Sequence, residues 1–335
     1  VAQIRAQQLG GLQSYFSVAA AEPLPSSYAL GRLVRFLSQI NSPGKDVLAI
    51  DLGASNTTLA AAREGKLDLS VYPTGMGAGL ALALQLSPLA SITRWLPMPV
   101  PDDLVRDYLW QKTLFPASVP ATPETLAIEQ AAARQILQLA LRTHQSRYQK
   151  NLLSFEPMIA AGAALTEISP GKALLTLLDG LQPVGTSTFV LDPYGLAAAL
   201  GAAARVNSIL PVQVVESNAF LNLGTVISPV SRARHGEPLL KVHLEQESGE
   251  EGIYEVAKGS ILRLPVLAGH SATIHLEMLR QVEIDQLRKG ANPSYQVTGG
   301  ACGVVIDARS RPISLPSDAA ERRELLSSWD AALSE

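Results

Sequence analysis

The 335-residue chain is 47% hydrophobic and 17% charged, with a net charge of −3 at neutral pH. That balance supports a buried core and excludes a disordered chain, and the lack of a basic excess argues against nucleic-acid binding. A single cysteine, Cys302, excludes an internal disulfide or a multi-cysteine metal site and fits a reducing, cytoplasmic compartment.

The start of the chain has no long apolar signal region. The apolar stretch over 75–89 is broken by Gly, Gln, Ser and Pro, so no membrane span is expected. Residues 1–20 read as a helix or an ordered arm. Ser27 is a candidate cap for a helix over 28–40, whose apolar residues recur at three- and four-residue spacing, and Asn41-Ser-Pro-Gly44 stops it. Val47-Leu-Ala-Ile-Asp51 is a short strand ending on a carboxylate. After a glycine turn come strands over 57–62 and 66–72, joined by Arg63-Glu-Gly65. A second glycine loop, 73–79, leads into an Ala/Leu helix.

Residues 97–123 are proline-rich, with a short helix near 102–112. Thr122-Pro123-Glu124 has a cap, a proline at the first helical position and an acid in the first turn, which predicts a helix to about Gln149. Residues 155–164 form a strand entering a glycine turn. Ser169-Pro170 and Asp192-Pro193 start two more helices, the second ending near Asn207. From 212 to 307 short β-branched runs alternate with glycine turns, a pattern of strands and hairpins. The acidic run 245–251 reads as a solvated hairpin tip. A helix over about 317–333 closes the chain. The divisions are an α/β unit over 1–210, a β-rich domain over 211–315 and a C-terminal helix over 316–335.

Four motifs are candidates for chemistry. Asp51-Leu-Gly-Ala-Ser-Asn-Thr-Thr58 combines a strand-end carboxylate with glycine and short hydroxyls. Polyphosphate binding needs closely approaching backbone N–H groups, hydroxyl donors and a carboxylate near magnesium. Gly53 is expected in a conformation closed to residues with a β-carbon, and an ordinary β-turn is the competing reading. Thr74-Gly75-Met76-Gly77-Ala78-Gly79 precedes a helix, so Gly75 and Gly77 either turn amides to an anion or allow close helix packing. Ala160-Ala-Gly162-Ala-Ala164 lets a nucleoside lie against the backbone, or a helix pack tightly on the strand. Cys302, between small residues in Gly299-Gly-Ala-Cys-Gly303, reads as a buried small hydrophobe.

The Asp51–Thr58 turn with its hairpin, and Gly162 downstream, resemble the actin, heat-shock chaperone and sugar-kinase superfamily of ATPases. Within it the chain is similar to the MutL family associated with glutamate mutase, unrelated to the mismatch-repair protein of the same name. The resemblance rests on Asp51 to Thr58, on residues 155–170 and on Gly299-Gly-Ala-Cys-Gly-Val-Val-Ile-Asp-Ala-Arg309 with its helical tail. It implies an α/β actin-like (ribonuclease H-like) lobe with a C-terminal β-rich domain, binding ATP and magnesium. Asp51 would position magnesium and water, Gly53, Ser55, Thr57 and Thr58 would cradle phosphate, and Gly162 would approach the adenosine. It also implies a partner role beside a cobalamin-dependent mutase. Superfamily members use two phosphate loops, and this chain shows one. It is therefore expected to be the second lobe of a longer protein, completed by an N-terminal lobe or another chain and nearly inactive as an ATPase alone. The alternative is a non-catalytic interaction module on a degenerate actin-like fold.

Overall fold

The computed structural model describes residues 18, 24–41, 45–148, 155–204, 206–207, 209–284 and 292–334. The predicted arm over 1–20, apart from Val18, lies outside these residues, as do the stop at 42–44 and the helix end at Gln149.

Helix α1 spans Ser26–Ile40, with Pro25 at its N-cap and no side-chain cap. Ser27 is therefore inside the first turn rather than capping it. Strands β1 (Val47–Leu52), β2 (Thr57–Arg63) and β3 (Lys66–Tyr72) follow as an antiparallel meander. Glu64 and Gly65, both at positive φ, make the β2–β3 turn, as a tight hairpin requires. Helices α2 (Leu80–Leu86), α3 (Ala90–Thr93), α4 (Asp102–Leu114) and α5 (Pro123–Tyr148) come next. The Thr122 hydroxyl accepts the Thr125 amide at 3.3 Å, so the predicted cap forms. Then come β4 (Met158–Ala161), α6 (Ala163–Thr166), α7 (Pro170–Leu181), β5 (Gly185–Leu191), α8 (Leu196–Ala203) and α9 (Leu210–Glu216).

The rest is mostly strand: β6 (Leu221–Ser228), β7 (Val230–Ser231), β8 (Pro238–Gln246), β9 (Glu251–Ala257), β10 (Ile261–Leu264), β11 (Ser271–Met278), β12 (Val282–Glu283), β13 (Ser294–Thr298) and β14 (Val304–Asp307). Helix α10 (Ala319–Ser334) closes it. The acidic run is the β8–β9 tip, turned at Gly249.

The large sheet has the order β10-β14-β6-β5-β4-β1-β2-β3. Within it, β1, β4 and β5 are parallel, and β2 runs antiparallel to β1 and β3. That β3-β2-β1-β4-β5 order is the actin-like, ribonuclease H-like lobe. Strand β6 pairs antiparallel with β5, β14 pairs parallel with β6, and β10 pairs antiparallel with β14. Three strands from beyond residue 210 thus extend the same sheet. The order β13-β11-β8-β9 forms a second sheet.

Side chains alternate across the large sheet. Leu48, Ile50 and Leu52 face the core shared with α5, α7 and α10, while Val47 and Ala49 face α1 and α8. On that second face, further along, Ile227, Val304 and Ile306 pack against the smaller sheet. The strand directions place the carboxyl ends of β1, β4 and β5 at one edge, and the carboxyl ends of β6 and β14 at the other.

Candidate functional site at the carboxyl end of the parallel strands

Asp51 sits one residue before the end of β1, opposite Thr58 on β2 and Ala161 on β4. The alternation turns its carboxyl to the α1–α8 face, with Thr58 beside it. Asp192, buried at the end of β5, faces the same helix. It accepts the Leu196 and Ala197 amides at 2.8 and 2.7 Å and so caps α8. That explains why this helix begins three residues later than Asp192-Pro193 predicts. Burial, and then the charge of Asp192, raise the Asp51 pKa above its ordinary value.

The turn after β1 is held from below. The Gly53 carbonyl accepts the Met76 amide at 2.9 Å. The Ala54 carbonyl accepts the Gly77 and Gly79 amides at 2.8 and 3.1 Å. A trans peptide sets its N–H opposite its C=O. With those two carbonyls drawn inward, the Ala54 and Ser55 amides point outward from an exposed turn, and neither donates to another group among the described residues. Two outward amides beside a carboxylate suit a phosphate oxygen and its counter-ion.

Gly75 and Gly77 lie beneath this turn. A β-carbon on Gly75 would fall 2.5 Å from the Gly53 oxygen, and one on Gly77 would fall 2.5 Å from the Pro116 β-carbon. Their smallness lets the two loops stack. Thr57 is buried, and its hydroxyl donates to the Thr74 carbonyl at 2.8 Å, a brace between the loops. Ser55 stands exposed at the tip. Gly53 differs from expectation: it does not take a left-handed φ, and an added β-carbon would lie 3.1 Å from the Asn56 oxygen. The strict glycine requirement falls on Gly162 instead. Its φ is +109°, and a β-carbon there would lie 2.2 Å from the Leu52 oxygen.

Next to Gly162, on the α5–α7 face, opens a cavity of about 520 Å³. Its lining includes Gly53, Ala54, Gln130, Ala163, Ala164 and Lys172. At one wall Lys112 pairs with Glu129 at 2.7 Å. The Gln130 side chain is buried, and its Nε2 has no hydrogen-bond partner among the described residues. Leaving a buried donor unmade costs about 1–3 kcal/mol, so a ligand acceptor there would be rewarded. Lys172 is half-buried and makes no ion pair among the described residues. Sequence reasoning missed Asp192 as a neighbour of Asp51, and it missed Gln130 and Lys172. For Gln130 a signal existed: Gln130, Arg134 and Gln138 recur at helical spacing on a face of α5 that is otherwise Ala, Ile and Leu.

Cys302 is buried, and burial pushes its thiol up to about 11, so it stays a protonated small hydrophobe. Among the described residues no group of three or more His, Cys, Asp or Glu is arranged as a metal cage, and no helix is long and apolar enough to cross a membrane.

A family model described as MutL protein matches residues 3–219. No curated protein matches the chain. Among solved structures, similarity is found to the ethanolamine utilization protein EutJ from Carboxydothermus hydrogenoformans. It is 16% identical, with a TM-score of 0.30, over 51% of this chain and 52% of that one. Similarity is also found to the activator of the 2-hydroxyisocaproyl-CoA dehydratase from Clostridium difficile with bound ADPNP, at 13% identity and a TM-score of 0.31, over 57% and 69%. A third is Ta0583, an archaeal actin homolog, at 18% identity and a TM-score of 0.28, over 53% and 54%. The matched part thus spans about half the length of EutJ and of Ta0583.

Proposed function

The chain belongs to the MutL protein family, and from that premise we propose that the edge of its sheet at Asp51 is one half of a magnesium–ATP site. The observation that carries this is the turn itself: the Gly53 and Ala54 carbonyls are tied inward, so the Ala54 and Ser55 amides face out beside Asp51. Ser55 adds a hydroxyl, Thr58 lies beside the carboxylate, and Thr57, Gly75 and Gly77 hold the turn in shape. The nucleoside enters the cavity beside Gly162, where Ala163 and Ala164 leave room against the backbone. Gln130 offers the base a buried donor, and Lys172 supplies a cation.

The donor set fits magnesium. Asp51 and Asp192 are close enough for one charge to raise the pKa of the other, a repulsion that a divalent cation relieves. Magnesium takes one or two protein carboxylates and completes its shell with phosphate oxygens and water. When bound, it neutralises phosphate charge. What this chain contributes is position: outward amides, an oriented carboxylate and a walled nucleoside pocket. Among the described residues we find one such turn, and on this reading hydrolysis requires an opposing lobe or a second chain. The resemblance to the glutamate-mutase-associated MutL family supports reading the assembled protein as an accessory ATPase beside a cobalamin-dependent mutase.

One observation favours a second reading, a protein-interaction module. Trp110, Leu114, Phe115 and Val119 are all exposed along the end of α4 and the loop that borders the cavity. Thermal melting with and without millimolar magnesium–ATP separates the two. Binding to the folded state raises the melting temperature by mass action. A rise that disappears in Asp51→Asn supports the nucleotide site, and no rise in the wild type overturns it.

A further inference from the structure

At the opposite edge of the large sheet, beyond the carboxyl end of β14, lies a second cavity of about 770 Å³. The described residues lining it fall after residue 219, outside the segment that carries the family match. One wall comes from the β9–β10 turn and the segment before β8, and bears Lys258 and His235. The first turns of α10 also line it and bear Glu321 and Glu324. Leu315, Leu325 and Trp329 add apolar lining.

The apolar lining is rigid. The Trp329 indole nitrogen donates to the Gly259 carbonyl at 2.9 Å, and the Arg309 guanidinium lies 4.6 Å from the ring centre. Arg309 itself is spent: its nitrogens donate to Asp307 and Asp179, all buried. It forms wall, not ligand contact. Lys258 is different. Among the described residues its ammonium makes one hydrogen bond, to the Arg309 carbonyl at 3.0 Å, and an ammonium carries three N–H donors. Burial and then the neighbouring Arg311 lower its pKa, although Asp307 acts against them. Glu321 and Glu324 are exposed and make no ion pair among the described residues.

We propose that this cavity binds a zwitterionic molecule with an apolar body, of the class of a short apolar peptide, carboxylate toward Lys258 and His235 and ammonium toward Glu321 and Glu324. The volume is in the range of small-molecule sites, which combine apolar walls with a few placed polar groups. Because the two charged groups belong to different elements, joined by the Trp329 hydrogen bond from α10 to Gly259 beside Lys258, the ligand must carry its charges at its two ends. A dipeptide does so, and a single amino acid carries them on one carbon.

The test is titration calorimetry on the full chain with the dipeptide leucyl-phenylalanine. Two controls lack one charge each: the N-acetyl form and the C-terminal amide. The free dipeptide is expected to bind, and each blocked form to bind about tenfold more weakly or worse. Lys258→Met should remove the preference for a free carboxylate, and Glu324→Gln should weaken the preference for a free amine. The blocked peptides read the two charged groups on wild-type protein, so the test holds even if a variant folds poorly. No binding of the free dipeptide, or equal binding of the three forms, overturns the proposal. Unchanged affinity in both folded variants overturns it as well. Because the cavity lies at the far edge of the sheet, neither variant should alter a melting shift caused by magnesium–ATP, so failure here leaves the nucleotide reading separately testable.

Discussion

Arg309 Nη1 donates to Asp179 Oδ1 at 2.6 Å, joining residues 130 positions apart. Asp179 also accepts from Arg134 at 2.6 Å, and Arg309 and Arg311 both reach Asp307. The segment after β14 is thereby pinned to α5 and α7, the helices that wall the Asp51-side cavity. All five groups are buried, and removing one partner of a buried ion pair leaves charge uncompensated, at about 3–5 kcal/mol. Arg309→Met should lose about 3 kcal/mol or more in urea unfolding. Arg63→Met breaks the exposed pair with Asp46 and should lose at most about 1 kcal/mol. Equal losses for the two would show that the buried cluster adds nothing to stability.

The same cluster sets an acid limit. Burial alone would raise the Asp307 pKa, but the Arg309 and Arg311 guanidiniums beside it hold it well below the usual carboxylate range. A carboxyl whose folded pKa is depressed binds its proton less readily folded than unfolded. Its stabilisation is present above the unfolded value of about 3.9 and is lost as pH falls toward the folded one. Urea midpoints at pH 7 and 5 should therefore differ little on this account, with a steep decline below about pH 4. Asp307→Asn should start lower at neutral pH and decline less between pH 4 and 2. A variant declining in parallel with the wild type would contradict the assignment.

Asp51 behaves in the opposite sense. Its pKa is raised by burial and by Asp192, so the folded state binds this proton more tightly than the unfolded chain. Keeping Asp51 ionised at neutral pH costs stability, and that cost vanishes as pH falls through the folded pKa. Asp51→Asn should therefore melt at a higher temperature than the wild type at pH 7 without nucleotide, while losing the magnesium-dependent part of any ATP shift. Such a trade of stability for a charged site is common where function needs the charge. If the variant melts lower, Asp51 has a structural role instead.

The strands and turns of the lobe were legible because they are local. The Asp51 turn, the Arg63-Glu-Gly65 hairpin and the Thr122 cap each depend on residues a few positions apart. What the sequence did not disclose depends on distant pairing. Strand β14 lies beside β6 across some 80 residues, so the sheet continues past residue 210 although the texture of the chain changes there. Hydrophobic alternation says that a strand is buried, not which strand lies next to it. The site shows the same division. Asp51 and its glycines can be read from one short motif, whereas Asp192 and Gln130 reach the same sheet edge through β5 and α5. Gly53 was assigned the conformational constraint that Gly162 carries, because a glycine in a motif does not reveal its φ.

Gln130 gives the sharpest separation of binding from stability. Its Nε2 is buried without a partner among the described residues, so the folded protein gains little from the amide and bears its desolvation. Gln130→Leu keeps a similar volume and removes that donor, and should leave the melting temperature unchanged or slightly higher. Gly162→Val is the contrasting change. It forces a side chain into a left-handed φ and onto the Leu52 carbonyl, and should cost about 3 kcal/mol or more. If the cavity holds the nucleoside, Gln130→Leu should weaken ATP and adenosine alike, by about tenfold, while affinity for inorganic triphosphate stays unchanged. Loss of triphosphate affinity as well would mean that Gln130 acts through the turn. Undiminished adenosine affinity would place the base outside this cavity.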